Sequence, residues 1–149
     1  MMKRVVLAAM ASMAVPLAAH AAGEEFARAL DQRYRAVEAA IEARDGARWY
    51  EEMYTADTVV TGEGTKEVLR GRAALLPVVM DIAKSTRSCA IKPDGARQAS
   101  AGLGYSFATY RCSPADTSAA DYEVRALFVW KKTRAGWRVV AESYTMGSM

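Results

Sequence analysis

The side chains of this sequence that could carry out chemistry on a small molecule are carboxylates and tyrosines. Glu142 and Glu63 are the candidate general bases. Tyr34 and Tyr105 could donate hydrogen bonds to a ligand, and Arg125 could orient it or stabilise negative charge. From these residue types we predict a ligand pocket containing Tyr34, Tyr105, Arg125 and Glu142, with Glu142 and Tyr34 as the catalytic candidates.

The same residues also have a purely structural interpretation. Tyr34 and Tyr105 could be core residues with the hydroxyl at the surface, and Arg125 could form a cross-strand ion pair with Glu142. Two hypotheses follow. The first, which we favour, is a non-catalytic small-molecule-binding or structural module. The alternative is a small lyase, isomerase or cyclase that acts on a hydrophobic metabolite through carboxylate and tyrosine acid–base chemistry.

The N-terminal segment is typical of a secretory signal peptide. A basic start, Met1–Arg4, is followed by the apolar run Val5–Ala19 and by the small-residue pattern Ala19-His20-Ala21. We predict a signal peptide over residues 1–21, cleaved after Ala21 or Ala22, and a single domain over residues 22–149. The protein is then expected in the periplasm or outside the cell.

Cleavage would remove His20, the only histidine of the chain. Catalysis by a Ser-His-Asp or Cys-His arrangement and zinc binding through histidine are then excluded. We expect no metal and no cofactor. Loss of Lys3 and Arg4 leaves 18 basic residues against 17 acidic ones. This balance predicts no nucleic-acid partner and no attachment to a membrane after cleavage.

The two cysteines of the chain predict a disulfide in an oxidising compartment. The strongest turn signal between them is Pro93–Gly95, but a hairpin there would place Cys112 roughly 40 Å from Cys89. A turn at Ser100–Gly102, halfway between the cysteines, sets them opposite each other. We therefore predict a Cys89–Cys112 bridge, with Pro93–Gly95 as a bulge in a long strand.

Hydrophobic spacing and turn residues predict three helices and six strands. Phe26, Leu30, Tyr34, Val37 and Ile41 form one stripe of a helix over Glu24–Arg44, which Asp45-Gly46 should end with a left-handed glycine. Proline inside the third helix should make that helix start late or kink. The other predicted elements are a helix over Ala47–Tyr54, strands over Thr58–Thr61 and Lys66–Arg70, a helix from Gly71 to Lys84 with Leu75, Val79 and Ile82 buried, two strands within Arg87–Cys112, and a hairpin over Asp121–Met146.

Short motifs in a characteristic order resemble the nuclear transport factor 2-like superfamily, and within it the exported SnoaL-like domains of unknown function. These motifs are Ala43-Arg44-Asp45, Tyr54-Thr55-Ala56-Asp57, Arg70-Gly71, Leu103-Gly104-Tyr105 and Val129-Trp130 with Gly136–Val140. The resemblance implies an α+β cone of the cystatin-like type, with three helices packed on a curved, mainly antiparallel six-stranded sheet. It also implies a pocket for a small hydrophobic ligand.

Homodimers that pair through the outer face of the sheet are common in such families, and we expect one here. The fifth strand has the required alternation: Glu123 and Arg125 lie on one face, and the other face is an apolar row. This row consists of Tyr122, Val124, Ala126, Phe128 and Trp130.

The active sites of related enzymes do not transfer to this sequence. Ketosteroid isomerases use a tyrosine on the first helix, a carboxylate base after the first strand and a protonated acid on the fifth strand. Tyr34 lies about one helical turn too early for the first role. The base position falls on Gly62, beside Glu63, and the acid position near Ala126. Isomerase activity of that kind is not expected, and the histidine-dependent scytalone dehydratase pattern is excluded.

Overall fold

The computed structural model describes the backbone of residues 15–147 and the side chains of residues 23–147. The predicted signal peptide, residues 1–21, lies outside the residues whose side chains are described. The elements in chain order are α1 Val15–Glu42, α2 Gly46–Met53, β1 Tyr54–Gly62, β2 Leu69–Arg70, α3 Gly71–Ser85, β3 Thr86–Ser100, β4 Leu103–Pro114, β5 Tyr122–Thr133 and β6 Gly136–Met146. None of the described helices is long and apolar enough to span a membrane.

The six strands form one curved, open sheet in the order β2-β1-β6-β5-β4-β3. All neighbouring strands are antiparallel except β1 and β6, which run parallel. The three helices pack on this sheet, and the hydrophobic core lies between the two layers. The predicted fold class, an α+β cone with a mainly antiparallel six-stranded sheet, is confirmed.

Helix α1 contributes its predicted apolar stripe to the core. The five stripe residues, from Phe26 to Ile41, are each at most 2% exposed. Phe26 packs against Trp137 of β6, with ring centroids 4.6 Å apart. The spacing of apolar residues therefore gave the buried face of this helix correctly.

The residue with the left-handed conformation at the end of α1 is not the predicted one. The left-handed residue is Arg44, with φ 56°, rather than a glycine. Asp45 caps α2 instead, because its carboxylate accepts a hydrogen bond from the Arg48 N–H at 2.9 Å. Gly46 starts α2 and is needed for space, since a Cβ there would lie 2.5 Å from the Cα of Met80 in α3.

The disulfide between Cys89 and Cys112 is present, and the two cysteines are direct partners across β3 and β4. The chain turns between Ser100 and Leu103, as the pairing of the cysteines requires. The register shifts between Pro93 and Gly95, which is the predicted bulge. The prediction that combined the disulfide with the turn is confirmed.

The middle of the chain shows two departures from the predicted elements. The second strand shrinks to Leu69–Arg70. Helix α3 begins at Gly71 and continues through Pro77, so it does not start late. Its buried ridge is Leu75, Val79 and Ala83, whereas Ile82 is 40% exposed. Spacing of four residues, and not the apolar character of Ile82, decides which side chains face the core.

Candidate functional site

A cavity of about 240 Å³ lies between α3 and the inner face of the sheet. Leu75 and Val79 of α3 form one wall, and side chains of β1, β4, β5 and β6 form the other. The lining is mostly aliphatic and aromatic, and the Cys89–Cys112 disulfide is part of it. Such a lining suits a small molecule with a large apolar surface.

Strand alternation places the lining residues. Glu142, Tyr144 and Met146 are two residues apart on β6, so all three side chains point to the same face. On the neighbouring strand β5, Val124 and Ala126 are also two residues apart and also face the cavity. The apolar row predicted for β5 therefore faces the core and the cavity.

Glu142 is the carboxylate of this site. It lines the cavity, and its Oε2 accepts a hydrogen bond of 2.7 Å from the hydroxyl of Tyr54, at the start of β1. Surrounding protein atoms exclude bulk water from the carboxylate, and this desolvation raises the pKa of Glu142 to about 7, while the hydrogen bond from Tyr54 acts in the opposite direction. A group with such a pKa can both accept and donate a proton near neutral pH.

Tyr110 and Tyr144 add two further hydroxyl groups to the cavity. Neither hydroxyl forms a hydrogen bond with another described residue. Burial raises the pKa of both groups, and the nearby Glu142 carboxylate raises it further. Both therefore stay protonated at neutral pH and are available as hydrogen-bond donors.

Charge compensation at Glu142 is incomplete within the described part of the chain. No lysine or arginine lines the cavity there, and the only hydrogen bond to the carboxylate comes from Tyr54. An ionised carboxylate in an apolar site with one donor is poorly stabilised. Desolvation by burial therefore raises the pKa of Glu142, and the single hydrogen bond from Tyr54 only partly offsets it.

Of the predicted pocket residues, the structure brings only Glu142 to the cavity. Tyr34 is a buried core residue, 2% exposed, whose hydroxyl lies 2.9 Å from Ser106 Oγ. Ser106 also accepts a hydrogen bond of 2.8 Å from Trp130 Nε1. Tyr34 is therefore held in a buried network beside the cavity and does not line it, and burial raises its pKa.

Tyr105 and Arg125 lie on the opposite face of the sheet from the cavity. Tyr105 is 41% exposed and packs edge-on against Phe107. Arg125 donates from Nε to Thr145 Oγ1 at 2.7 Å. Because side chains alternate along β5, Arg125 points away from Glu142, and the predicted ion pair between these two residues does not form.

Glu63, the second candidate base, does not line the cavity either. Its carboxylate accepts a hydrogen bond from the Met146 N–H at 2.8 Å and ties the β1–β2 turn to the end of β6. The base position inferred for ketosteroid isomerases, Gly62, is covered by the ring of Tyr144, which a Cβ there would approach to 2.3 Å.

Sequence reasoning missed Tyr54, Tyr110 and Tyr144 as site residues. Tyr144 could have been found, since it follows Glu142 by two residues on a predicted strand. Tyr54 was assigned to the end of the second helix, but it is the first residue of β1. Tyr110 carries no local signal, because its position depends on the register of β4 against β5.

The fold and the cavity together define a protein of the nuclear transport factor 2-like class. Residues 30–147 match the SnoaL-like domain family, and the chain belongs to that family.

Solved structures of other proteins have the same fold. An NTF2-like protein with a cystatin-like fold from Novosphingobium aromaticivorans has a TM-score of 0.70 and 14% identity, and the match covers 91% of this chain and 92% of that one. A ketosteroid isomerase-like protein from Erwinia carotovora atroseptica has a TM-score of 0.68 and 20% identity, with coverage of 85% and 98%. An NTF2-like protein of unknown function from Shewanella oneidensis has a TM-score of 0.68 and 9% identity, with coverage of 80% and 98%.

These likenesses show a shared fold. No curated protein matches the sequence. What the cavity binds must therefore be argued from its own residues.

Proposed function

We propose that the protein binds a small, mainly apolar molecule in the cavity, with one polar group of the ligand against Glu142 and Tyr54. The observation that carries this proposal is a polar pair, joined by a 2.7 Å hydrogen bond, inside a mainly apolar cavity of about 240 Å³. An apolar wall supplies affinity and a few polar groups fix orientation, as in small-molecule sites generally. The volume suits a ligand below the usual drug size, for which pockets measure about 300–1,000 Å³.

The test is direct binding of a small neutral aromatic alcohol, 2-naphthol, measured by titration calorimetry. Val60 lines the cavity and is 4% exposed, and it neighbours Glu142 across β1 and β6. Val60→Phe should fill the space and abolish saturable one-to-one binding. Val59→Phe, on the other face of the same strand, is the matched control and should bind as the wild type does.

Absence of saturable binding to the wild type would contradict the proposal. Equal binding by both variants would also contradict it, since the probe would then bind elsewhere. Circular dichroism of each variant establishes that its fold is kept.

A second candidate function, proton transfer on a bound β,γ-unsaturated carbonyl compound, is favoured by the pKa of about 7 at Glu142 beside a tyrosine hydroxyl. The ionised Glu142 would remove a proton from the carbon next to the carbonyl group. Hydroxyl groups of Tyr110 or Tyr144 would donate hydrogen bonds to the enolate oxygen. Return of the same proton from Glu142 to the γ carbon would complete a double-bond shift with no other reactant.

Isomerisation of 3-cyclohexen-1-one to 2-cyclohexen-1-one, followed by ultraviolet absorbance, tests this candidate. The wild type should accelerate the conversion, and Glu142→Gln should lose the acceleration. Glu123→Gln is the control, because Glu123 forms an exposed ion pair with Arg111. A rate that is unchanged in Glu142→Gln would exclude Glu142 as the base.

A further inference from the structure

The cavity changes from polar at its inner end to apolar at its mouth. On β6, Glu142 is paired with fully buried Phe128, whereas Met146, four residues further, is 50% exposed. Those four residues span about 13 Å of strand. On α3, Val78 and Ile82 line the cavity but are 37% and 40% exposed. The mouth is thus a rim of exposed apolar side chains, and the carboxylate lies at the far end.

At the inner end of the cavity, the negative charge of ionised Glu142 is not balanced by a positive charge on any described lining residue. Glu142 is the only charged side chain among the described residues that line the cavity. Aromatic side chains surround it: Tyr54 donates to it, and Tyr110 and Tyr144 lie close enough for its charge to act on their hydroxyls. A carboxylate among aromatic rings is a setting that favours a cation, through ion pairing and contact with the rings.

We propose that the ligand is an apolar amine, bound with its ammonium group against Glu142 and with its hydrocarbon chain extending to the rim of Val78, Ile82 and Met146. This inference rests on the ligand binding proposed above and is independent of proton transfer. The ammonium group would supply the missing counter-charge. The chain would cover the apolar rim, which is otherwise exposed to water.

The other charged groups around the cavity have partners of their own. Glu38 of α1 accepts a hydrogen bond from the Ile91 N–H at 2.6 Å. On α3, Asp81 and Lys84 pair with each other at the surface, 3.5 Å apart. None of these three side chains lines the cavity, so Glu142 is the charged side chain that the described residues place in its lining.

The head group is tested by comparing n-hexylamine with 1-hexanol, which have the same chain and differ in charge. Affinities are measured by displacement of 2-naphthol. At pH 8 the amine should bind about tenfold more tightly than the alcohol. Glu142→Gln should bring the two affinities close together, and Glu123→Gln should preserve the difference.

The preference should depend on pH because Glu142 must be ionised. With a pKa of about 7, its ionised fraction rises about tenfold from pH 6 to pH 8, and hexylamine affinity should rise by a similar factor. The amine itself stays charged, since its pKa is near that of lysine, about 10.4. Tyr54, Tyr110, Tyr144 and Tyr34 have pKa values raised above 10 and do not titrate in this range.

The direction of the chain is tested with a longer amine. Replacing hexylamine by n-decylamine should increase affinity, by up to about fourfold for each methylene group that becomes fully buried. Ile82→Ser or Met146→Ser should remove much of this gain and change hexylamine affinity by less than about twofold. Val68→Ser is the control, since Val68 is 43% exposed but does not line the cavity.

Equal affinities for hexylamine and hexanol would contradict the proposed ion pair between the ammonium group and Glu142. If Ile82→Ser and Met146→Ser keep the full gain in affinity for decylamine, the proposed orientation of the hydrocarbon chain is wrong. In both cases 2-naphthol binding would leave the proposed ligand binding intact. If 2-naphthol does not bind to the wild type, ligand binding itself is contradicted.

Discussion

At the scale of single residues, the account depends on Glu142, a carboxyl group whose burial opposes its charge. Its pKa is raised from 4.5 to about 7 because the cavity withholds water from the carboxylate, and the hydrogen bond from Tyr54 offsets only part of this rise. The protonated form is thus the better-accommodated one in the folded protein. Tyr54 keeps the ionised form accessible near neutral pH.

This shift predicts a pH-dependent cost to stability. A carboxyl whose pKa is higher in the folded state contributes stability that is full below the unfolded value, 4.5, and is lost as pH rises through about 7. Relative to Glu142→Gln, the wild-type free energy of unfolding should fall by about 2–3 kcal/mol between pH 5 and pH 8. Urea denaturation at the two pH values measures this, with Glu123→Gln as the charge control.

Parallel pH dependence in the wild type and Glu142→Gln would show that Glu142 has an ordinary pKa. Because the comparison is a difference between two variants, the titration of exposed carboxylates cancels.

At the scale of the elements, the cavity depends on how closely α2 approaches α3. Gly46 permits that approach, since a Cβ there would meet the backbone of Met80 at 2.5 Å. Gly46→Ala should force α3 outward and destabilise the protein by about 1–3 kcal/mol. It should also weaken 2-naphthol binding, because α3 forms one wall of the cavity.

Gly102→Ala is the matched control for this substitution, because a Cβ at Gly102 meets no atom within 4 Å. Denaturation midpoints of the two variants decide the question. Equal loss of stability in both would mean that crowding between α2 and α3 is not the cause.

The elements also show what a sequence can and cannot specify. Helical spacing predicted the buried stripe of α1, and the two cysteines predicted the register of β3 against β4, because each depends on local geometry or on a covalent bond. The lining of the cavity was harder to predict from the sequence, because Tyr110 and Glu142 come together only after β4, β5 and β6 have paired. Alternation along β5 was read correctly from the sequence, yet Arg125 and Tyr105 were chosen for their chemistry and lie on the outer face.

At the scale of the whole molecule, the outer face of the sheet carries an apolar patch that fits the expected homodimer. Tyr105 pairs with Val129, and Phe107 pairs with Leu127, on neighbouring strands β4 and β5. Leu103 and Tyr105 are 43% and 41% exposed. We propose that a second copy of the chain covers this patch.

Light scattering during gel filtration tests the dimer. The wild type should elute with twice the mass of one chain, and Leu127→Glu should elute as a monomer, because a buried charge would oppose association. Val68→Glu is the control, since Val68 is 43% exposed in the loop before β2. A monomeric wild type would contradict the proposal.

Export is the second proposal at this scale, and it can be tested together with the disulfide. Cleavage after Ala21 or Ala22 would keep Phe26, the first core residue of α1 among the described side chains. Intact mass of protein recovered from the periplasm should correspond to a chain starting at residue 22 or 23. Two alkylation adducts should appear only after reduction. An uncleaved chain would refute the signal peptide, and free thiols before reduction would refute the bridge.

The central claim, a titratable carboxyl in a largely apolar cavity, is tested most directly by carbon-13 NMR titration of the Glu142 side chain, assigned by comparison with Glu142→Gln. The account predicts a midpoint near pH 7 for Glu142, and a higher midpoint in Tyr54→Phe, which lacks the hydrogen bond that stabilises the carboxylate. A midpoint at the ordinary value of 4.5, unchanged in Tyr54→Phe, would contradict it.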